Sequence, residues 1–263
     1  MVAPEAKRGS TIAYVFLGWS LAAAVGLPLV TLVAHRFGWR AAYGGIGALG
    51  LVSLLLLMWR LPGGLFGAPV ELRTWLDLVR NRLVVLLVTT LYMSGQFVIF
   101  TFMGPLLARL TGASADAVGL VFAMYGAFGF IGVAIAARMV DGWGAYRTSL
   151  LSISMVLAGI AGWAVTSGSY VLMAVSVAIW GLGFASSNSM QQVRLVAAAP
   201  PLASASVSLN TSVLYIGQAI GSAVGGILYG GNFLYGAGYV GTAFVVLARA
   251  IVLATRPRQS AGA

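Results

Sequence analysis

The chain has 263 residues, of which 60% are hydrophobic and only 8% are charged, and its formal net charge at pH 7 is +10. A mean hydropathy of +0.97 leaves too few polar residues to cover a water-soluble surface, so the composition predicts an integral membrane protein. Long unbroken apolar runs exclude the alternating pattern of a membrane β-barrel, and the absence of cysteine excludes disulfides and thiolate chemistry.

Apolar runs between charged or Gly/Pro-rich breaks predict an all-α fold with about eight transmembrane helices, each of roughly 20 residues or more. They lie near residues 11–34, 40–59, 83–108, 115–137, 148–166, 169–193, 203–229 and 232–254. The first run is too long for the apolar region of a secretory signal and is followed by no small-residue cleavage site. It is therefore predicted to be a true span.

The distribution of cationic residues predicts the orientation. Of the 15 Lys and Arg residues, only Arg36, Arg40 and Arg109 fall in loops that face outward when the N-terminus is cytoplasmic. The positive-inside rule expects this asymmetry, so both termini are predicted to be cytoplasmic. The positive charge consequently indicates contact with the lipid bilayer and not with nucleic acid.

The longest connection predicts how the chain is divided. Within it, apolar residues recur at helical spacing opposite Arg73, Asp77 and Arg80, which predicts a short amphipathic helix lying on the inner leaflet. A partner-binding helix is the alternative. The predicted parts are a two-span part, 1–60, a cytoplasmic linker, 61–82, a six-span part, 83–258, and a cytoplasmic tail, 259–263.

Two stretches carry related glycine patterns, GWSLAAAVGLPLV near the start and GQAIGSAVGGILYGG near the end. Gly26 matches Gly221, 195 positions later, and a polar segment containing proline precedes each stretch. Small residues at this spacing let helices approach closely in lipid, and the shared context predicts that the first and seventh spans are repeat equivalents. Two full repeats would need about 390 residues, so the opening loop is expected to be an internal loop exposed by truncation.

Three segments resemble the major facilitator superfamily, in its drug:proton antiporter and sugar-efflux branch of arabinose efflux permease-like transporters. The run APEAKRGSTIAYVFLGWSLAAAVGLPLVTLVAHRFGWRAAY is similar to the fifth helix of that family. Gly26 and Pro28 match its antiporter motif, and Gly38-Trp39-Arg40 matches the tripeptide that follows it. The segment SMQQVRLVAAAP, with the helix after it, resembles the tenth and eleventh helices.

The segment ARMVDGWGAYR is similar to the loop between helices eight and nine of the same family, although Gly142 stands where a basic residue is usual. The resemblance assigns a conformational role to Gly26, Pro28, Arg138, Asp141, Gly144 and Arg147. It implies an incomplete major facilitator fold, with two helices of the N-terminal half and the six-helix C-terminal half, spanning the inner membrane. Asp141 is then expected near the start of the first span, around Ser10 to Ala13.

Transporters of this kind bind solute between their two halves near the bilayer midplane, where polar side chains replace contact with lipid. Tyr92 and Gln96 share a helix face, as do Asn188 and Gln192, because each pair is four residues apart. The predicted substrate-binding residues are Tyr92, Gln96, Tyr125, Asn188, Gln191, Gln192, Asn210, Tyr215 and Gln218. For each of them, hydrogen bonding between helices is the alternative role.

The resemblance implies that the complete protein is a proton-coupled antiporter that exports a sugar-like or drug-like solute, with the proton gradient as its energy source and no cofactor. The five acids of the chain fall in loops or at span ends: Glu5, Glu71, Asp77, Asp116 and Asp141. The family's coupling carboxylate usually lies in the first four helices, so uphill transport by this chain alone is not expected.

A second class of function remains open, a non-transporting membrane scaffold or assembly partner derived from the same fold. Polar residues that converge on one lumen favour transport, whereas polar residues scattered toward lipid favour a scaffold. No enzyme or metal-site motif is present, so no catalytic activity is predicted. The predicted partners are lipid, a small-molecule solute, and either a second copy of the chain or the missing N-terminal half.

Overall fold

The computed structural model describes residue 18 and residues 21–60, 72–198 and 203–255, and the regular structure in these ranges is helical. A π-helical turn, Ala22–Gly26, precedes the first α-helix. The α-helices are α1 (Leu27–Phe37), α2 (Trp39–Arg60), α3 (Leu72–Phe100), α4 (Met103–Thr111), α5 (Ala115–Val165), α6 (Tyr170–Ala198), α7 (Ala203–Gly230) and α8 (Gly236–Ala254). The predicted all-α membrane fold is confirmed.

Seven helical segments of the described chain are long and apolar enough to cross a membrane. They are Trp39–Arg60, Leu83–Phe100, Ala115–Val140, Gly142–Val165, Tyr170–Leu195, Ala205–Gly230 and Gly236–Ala254. Seven of the eight predicted spans coincide with them, and a one-turn break after Phe100 separates α3 from α4 within the predicted span 83–108. Of the predicted span 11–34, the structure describes residue 18 and residues 21–34, which are helical and include the π-helical turn and most of α1.

The segment predicted as a separate amphipathic surface helix has a different structure. Its backbone belongs to α3, which is helical without interruption from Leu72 to Phe100, so the segment continues directly into the span. The rest of the linker, residues 61–71, and the tail, residues 259–263, lie outside the described residues. The division of the chain into two parts stays a prediction.

A π-helical turn directly precedes Pro28. The N–H of Leu27 bonds to the carbonyl of Ala22, five residues earlier, and Pro28 follows in the first turn of α1. Proline lacks an N–H and its ring clashes with the carbonyl four residues before it. The wider π-turn accommodates both effects without ending the helix.

Two glycines make sharp breaks where the sequence matched the family motifs. Gly38, with φ +84°, separates α1 from α2, and Gly144, with φ +77°, interrupts the helical backbone of α5 near the start of its Gly142–Val165 segment. Residues with a Cβ rarely adopt this left-handed conformation. The two turns are therefore short because glycine occupies them.

The core lies inside the bundle of α3 and α5 to α8, where Trp163, Trp180 and Ile160 are fully buried. By contrast, α2 packs chiefly on α1 among the described residues, and only 6% of its most apolar stretch is buried. Its side chains are almost all apolar. This surface fits lipid, in which an exposed leucine costs nothing.

The glycines of α7 pack directly on α3. A Cβ at Gly217, Gly221 or Gly225 would meet the carbonyl oxygen of Thr90, Ser94 or Val98, respectively. The hydroxyl of Ser94 also donates to the carbonyl of Gly217 across this contact, at 3.1 Å. Gly26, the repeat equivalent of Gly221, meets only the Cβ of Ala22 in its own helix, so the described residues provide it with no such partner.

The contact between α3 and α7 predicts that Gly221→Ala destabilises the bundle. The added methyl must displace the backbone around Ser94, and overpacking of this kind costs about 1 to 3 kcal/mol. The matched control is Gly226→Ala, because a Cβ there lies 3.5 Å from the Phe102 ring, an ordinary contact distance. Thermal unfolding in detergent checks the prediction, and equal stability of the two variants would contradict it.

The charge distribution predicts that opposite ends of the bundle face opposite sides of the membrane. Gly142 and Gly230 are both exposed, and a side chain at either position meets nothing within 4 Å. Because the chain has no cysteine, Gly230→Cys should react with an impermeant maleimide added to sealed cells. Gly142→Cys should react only after permeabilisation, and the reverse pattern would refute the orientation.

Candidate functional site

A buried polar cluster joins α3, α5 and α6. Gln96 is fully buried, its Nε2 donates to the carbonyl of Tyr92 at 3.2 Å, and its Oε1 accepts from the indole Nε1 of Trp180 at 2.7 Å. The hydroxyl of Tyr92 is buried and has no hydrogen-bond partner among the described residues. Trp180 was absent from the predicted site, although an indole N–H within a span needs an acceptor and thus signals one nearby.

Aromatic rings enclose this cluster, with Tyr125 at their centre. Its ring centroid lies 5.2 Å from that of Trp180, 5.2 Å from that of Phe100 and 5.3 Å from that of Phe184. Phe97 adjoins Phe100 at 5.3 Å. The site therefore combines an amide and two phenols with flat apolar faces.

Small residues bring these side chains together. Gly181 of α6 packs on the backbone of Tyr125 in the first half of α5, and Gly183 packs on the backbone of Ser152 in the second half. Gly132 of α5 likewise packs on the backbone of Leu182, where an added Cβ would collide with the carbonyl oxygen. Because α6 lies this close to both halves of α5, Trp180 reaches Gln96 of α3.

A second polar group lies where α3 meets α7. The hydroxyl of Thr89 donates to Oδ1 of Asn210 at 2.8 Å, and both side chains are fully buried. Asn188 and Gln192, on one face of α6, are also buried, and one oxygen of each lacks a partner in the described chain. These side chains are buried, and their role in solute binding stays a prediction.

Gln191 belongs to a different place. It is fully buried near the end of α6, where its Oε1 accepts from the guanidinium of Arg194 at 3.1 Å. The same guanidinium lies 5.7 Å from the ring centroid of Tyr146, in the second half of α5. Gln191 is therefore hydrogen-bonded to an arginine near the end of its own helix, and its role in solute binding stays a prediction.

Two predicted residues of α7 do not join the buried clusters. Tyr215 is 55% exposed. Gln218 is partly buried, and its Nε2 has no hydrogen-bond partner among the described residues. The nine predicted residues thus divide among three buried groups and one more exposed helix face.

The predicted conformational residues lie at two interfaces. Pro28 faces α5, whereas Arg138 and Arg147 are exposed beside the bend at Gly144. The side chain of Asp141 and the predicted partner segment, residues 10–13, lie outside the described residues. The docking of Asp141 on the first span stays a prediction.

A cavity of about 330 Å³ separates α1 from the start of α5. Two ionisable side chains, His35 and Asp116, contribute to its rim, and both are exposed. The remaining lining is Pro28, Thr31, Leu32, Ala115, Gly119, Leu120 and Ala123. The described residues include no group of three or more metal-ligating side chains, so His35 has no metal-site companions there.

Comparison with known proteins identifies related chains. A family model described as Major Facilitator Superfamily matches residues 1–201 and residues 85–263. An uncharacterized MFS-type transporter of Bacillus subtilis, YbcL, is 25% identical over 98% of this chain and 68% of its own length.

Two further relatives are also named as transport proteins. The inner membrane transport protein YdhP of Escherichia coli K12 is 28% identical over 89% of this chain and 60% of its own length. A second uncharacterized MFS-type transporter of Bacillus subtilis, YtbD, is 28% identical over 93% of this chain and 63% of its own length. The chain thus spans about 60 to 68% of these relatives. All of them are named as transporters, which agrees with the expectation that the chain is not an enzyme.

The geometry of the first cluster predicts that Gln96→Leu destabilises the protein by about 1 to 3 kcal/mol, because it leaves the buried indole N–H of Trp180 unpaired. Combined with Trp180→Phe, the change should cost less than the sum of the single effects. Gln218→Leu is the control, since its amide nitrogen already has no partner in the described chain. Denaturant unfolding in detergent measures all four variants, and strict additivity of the pair would contradict the hydrogen bond.

Proposed function

Because the chain belongs to the Major Facilitator Superfamily, we propose that it provides the solute-binding cluster of a proton-coupled exporter of sugar-like or drug-like solutes. The protein is a multi-pass membrane protein, and the proposal places it in the inner membrane with both termini in the cytoplasm. The relatives support a transport role, since YdhP is named an inner membrane transport protein.

The observation that carries the proposal is the cluster around Gln96. It offers the amide of Gln96, the hydroxyl of Tyr92, which has no partner among the described residues, and the rings of Tyr125 and Trp180, which meet edge to face. Polar groups within apolar and aromatic walls are typical of small-molecule sites. A hydroxylated or amphipathic solute would supply the missing partner of Tyr92 while stacking on the rings.

The burial of the cluster indicates a conformation in which solute has no access to it. Tyr92 and Gln96 are fully buried, so a solute reaches them only when α3, α5 and α6 move apart. Such movement fits alternating access, in which helices rock around a site at the midplane. Seven of the nine predicted polar residues are buried inside the bundle and not scattered toward lipid, which supports transport over a scaffold, while their division among three groups falls short of a single lumen.

Solute binding predicts a difference between two tyrosines. Tyr92→Phe removes the unpaired hydroxyl and should weaken solute binding about tenfold, as the loss of a hydrogen bond worth about 1.4 kcal/mol does. Tyr215→Phe is the matched control, since Tyr215 is 55% exposed on α7. Equilibrium binding of a radiolabelled methyl glycoside and of ethidium to the purified protein measures both variants.

The outcomes of this experiment separate transporter from scaffold. Binding of either probe, weakened by Tyr92→Phe and unchanged by Tyr215→Phe, supports the proposed site. If neither probe binds the wild-type protein, or if both variants weaken binding equally, the cluster is not a solute site and the scaffold interpretation is preferred.

Energy coupling gives a separate prediction. Asp116 is the one acid whose side chain the structure describes, and it is exposed at the start of α5, so no described carboxylate lies at the depth of Gln96. Proteoliposomes containing only these 263 residues should therefore bind solute without accumulating it under an imposed proton gradient. Gradient-dependent accumulation, abolished by a protonophore, would show that a coupling group exists within the chain.

A further inference from the structure

The cavity of about 330 Å³ between α1 and the start of α5 has both of its ionisable side chains at one end. His35 belongs to the last turn of α1, and Asp116 belongs to the first turn of α5. Pro28 and Ala123 mark the other end, each seven residues away along its helix. Seven helical residues rise about 10 Å, so the cavity is an elongated groove that follows the two helices.

Between its two ends the groove is almost entirely apolar. Leu32 and Leu120 line it and are exposed, so the groove opens on the surface of the helix bundle. The hydroxyl of Thr31 already donates to the carbonyl of Leu27, at 2.8 Å. Gly119 lines the groove and is buried, yet a Cβ there would meet nothing within 4 Å. A side chain at this position would therefore extend into the groove.

The ionisable end contains an acid and a base that do not neutralise each other. Asp116 and His35 are exposed, and neither has a hydrogen bond or an ion pair with another described residue. The charged side chains outside the described residues all belong to segments predicted to be cytoplasmic, whereas α1 ends and α5 begins on the predicted outer side. The acid and the base are thus both available to a ligand.

Helix geometry explains only part of this arrangement. The helix dipole favours Asp116 in the first turn of α5, and Ser114 caps the same turn by accepting from the N–H of Ala117 at 3.3 Å. Neither effect accounts for His35 or for the apolar groove between the helices. An occupant that fits the groove is apolar over about 10 Å and has its polar groups at one end. Since one leaflet of the hydrocarbon core is about 15 Å deep, a membrane lipid meets this requirement.

The polar end favours a headgroup that carries both signs of charge. The carboxylate of Asp116 can accept from an ammonium group, which has three N–H donors. The imidazole of His35 can donate an N–H to a phosphate in its neutral and in its protonated form. A headgroup with a phosphate alone would leave the carboxylate without a partner and close to a second negative charge.

We propose that the groove between α1 and α5 binds phosphatidylethanolamine, with an acyl chain against Leu32 and Leu120, the ammonium at Asp116 and the phosphate at His35. The groove is separate from the Gln96 cluster. Ala123 lines the groove, whereas Tyr125, two residues later and on a different face of α5, belongs to the cluster. The proposal goes beyond the proposed function, and either of the two can fail without the other.

Native mass spectrometry of the detergent-purified full chain tests the proposal. Each lipid is added to delipidated protein, with phosphatidylglycerol as the comparison, because its headgroup has the phosphate without the ammonium. We expect phosphatidylethanolamine to bind at least about tenfold more tightly than phosphatidylglycerol. Asp116→Asn should abolish this preference without weakening the binding of phosphatidylglycerol. His35→Phe should weaken the binding of both lipids several-fold, because both carry the phosphate.

Two matched controls accompany these variants. Arg36→Gln should leave the preference unchanged, because Arg36 is exposed next to His35 but does not line the groove. Gly119→Leu should fill the groove and abolish the binding of both lipids. Gly230→Leu should not, although a Cβ at Gly230 also meets nothing within 4 Å, because Gly230 lies at the end of α7 and outside the groove.

The filled groove keeps the test decisive if a headgroup variant fails to fold, because Gly119→Leu changes no charge. Three results would overturn the proposal. They are a wild-type protein that binds the two lipids equally or binds neither, a preference that survives Asp116→Asn, and lipid binding by Gly119→Leu that equals that of Gly230→Leu.

Discussion

Contact between helix backbones, made possible by glycine, is the constraint on which this structure depends. In lipid, apolar side chains gain nothing by leaving the solvent, so helices associate through close packing and hydrogen bonds. At Gly181, Gly183 and Gly132, α6 fits against both halves of α5, and at Gly217 and Gly221, α7 fits against α3. A methyl group at any of these positions would collide with a neighbouring backbone.

The polar interior follows from this packing. Since α6 lies so close to α5, the indole of Trp180 extends past Tyr125 to the amide of Gln96, and the three side chains fix one another. Close approach of α3 and α7 likewise pairs Thr89 with Asn210. The same packing encloses the Tyr92 hydroxyl without a partner among the described residues, and a bound solute would supply that partner.

The sequence was sufficient to predict the helices, because a span is a local property of about twenty residues. The motif glycines were also predictable, and Gly144 bends α5 with a positive φ. The grouping of polar residues was not predictable, because it depends on the rotation of each helix about its axis. Gln191 and Gln192 are neighbours in sequence, yet Gln191 accepts a hydrogen bond from Arg194, whereas Oε1 of Gln192 has no partner among the described residues. The continuous helix from Leu72 to Phe100 was missed, because amphipathic periodicity does not reveal whether a helical segment ends before the next span or continues into it.

The central claim is that the Gln96–Trp180–Tyr125 cluster receives the solute, and the fluorescence of Trp180 tests it most directly. A variant that keeps Trp180, with its other tryptophans replaced by phenylalanine, is compared with one that keeps only Trp143, which is 55% exposed. We expect the emission of Trp180 to shift to the blue, relative to the solute-free protein, as solute is added, and the shift to saturate. The emission of Trp143 should not change. Emission from Trp180 that stays unchanged at saturating solute, with binding verified independently, would contradict it.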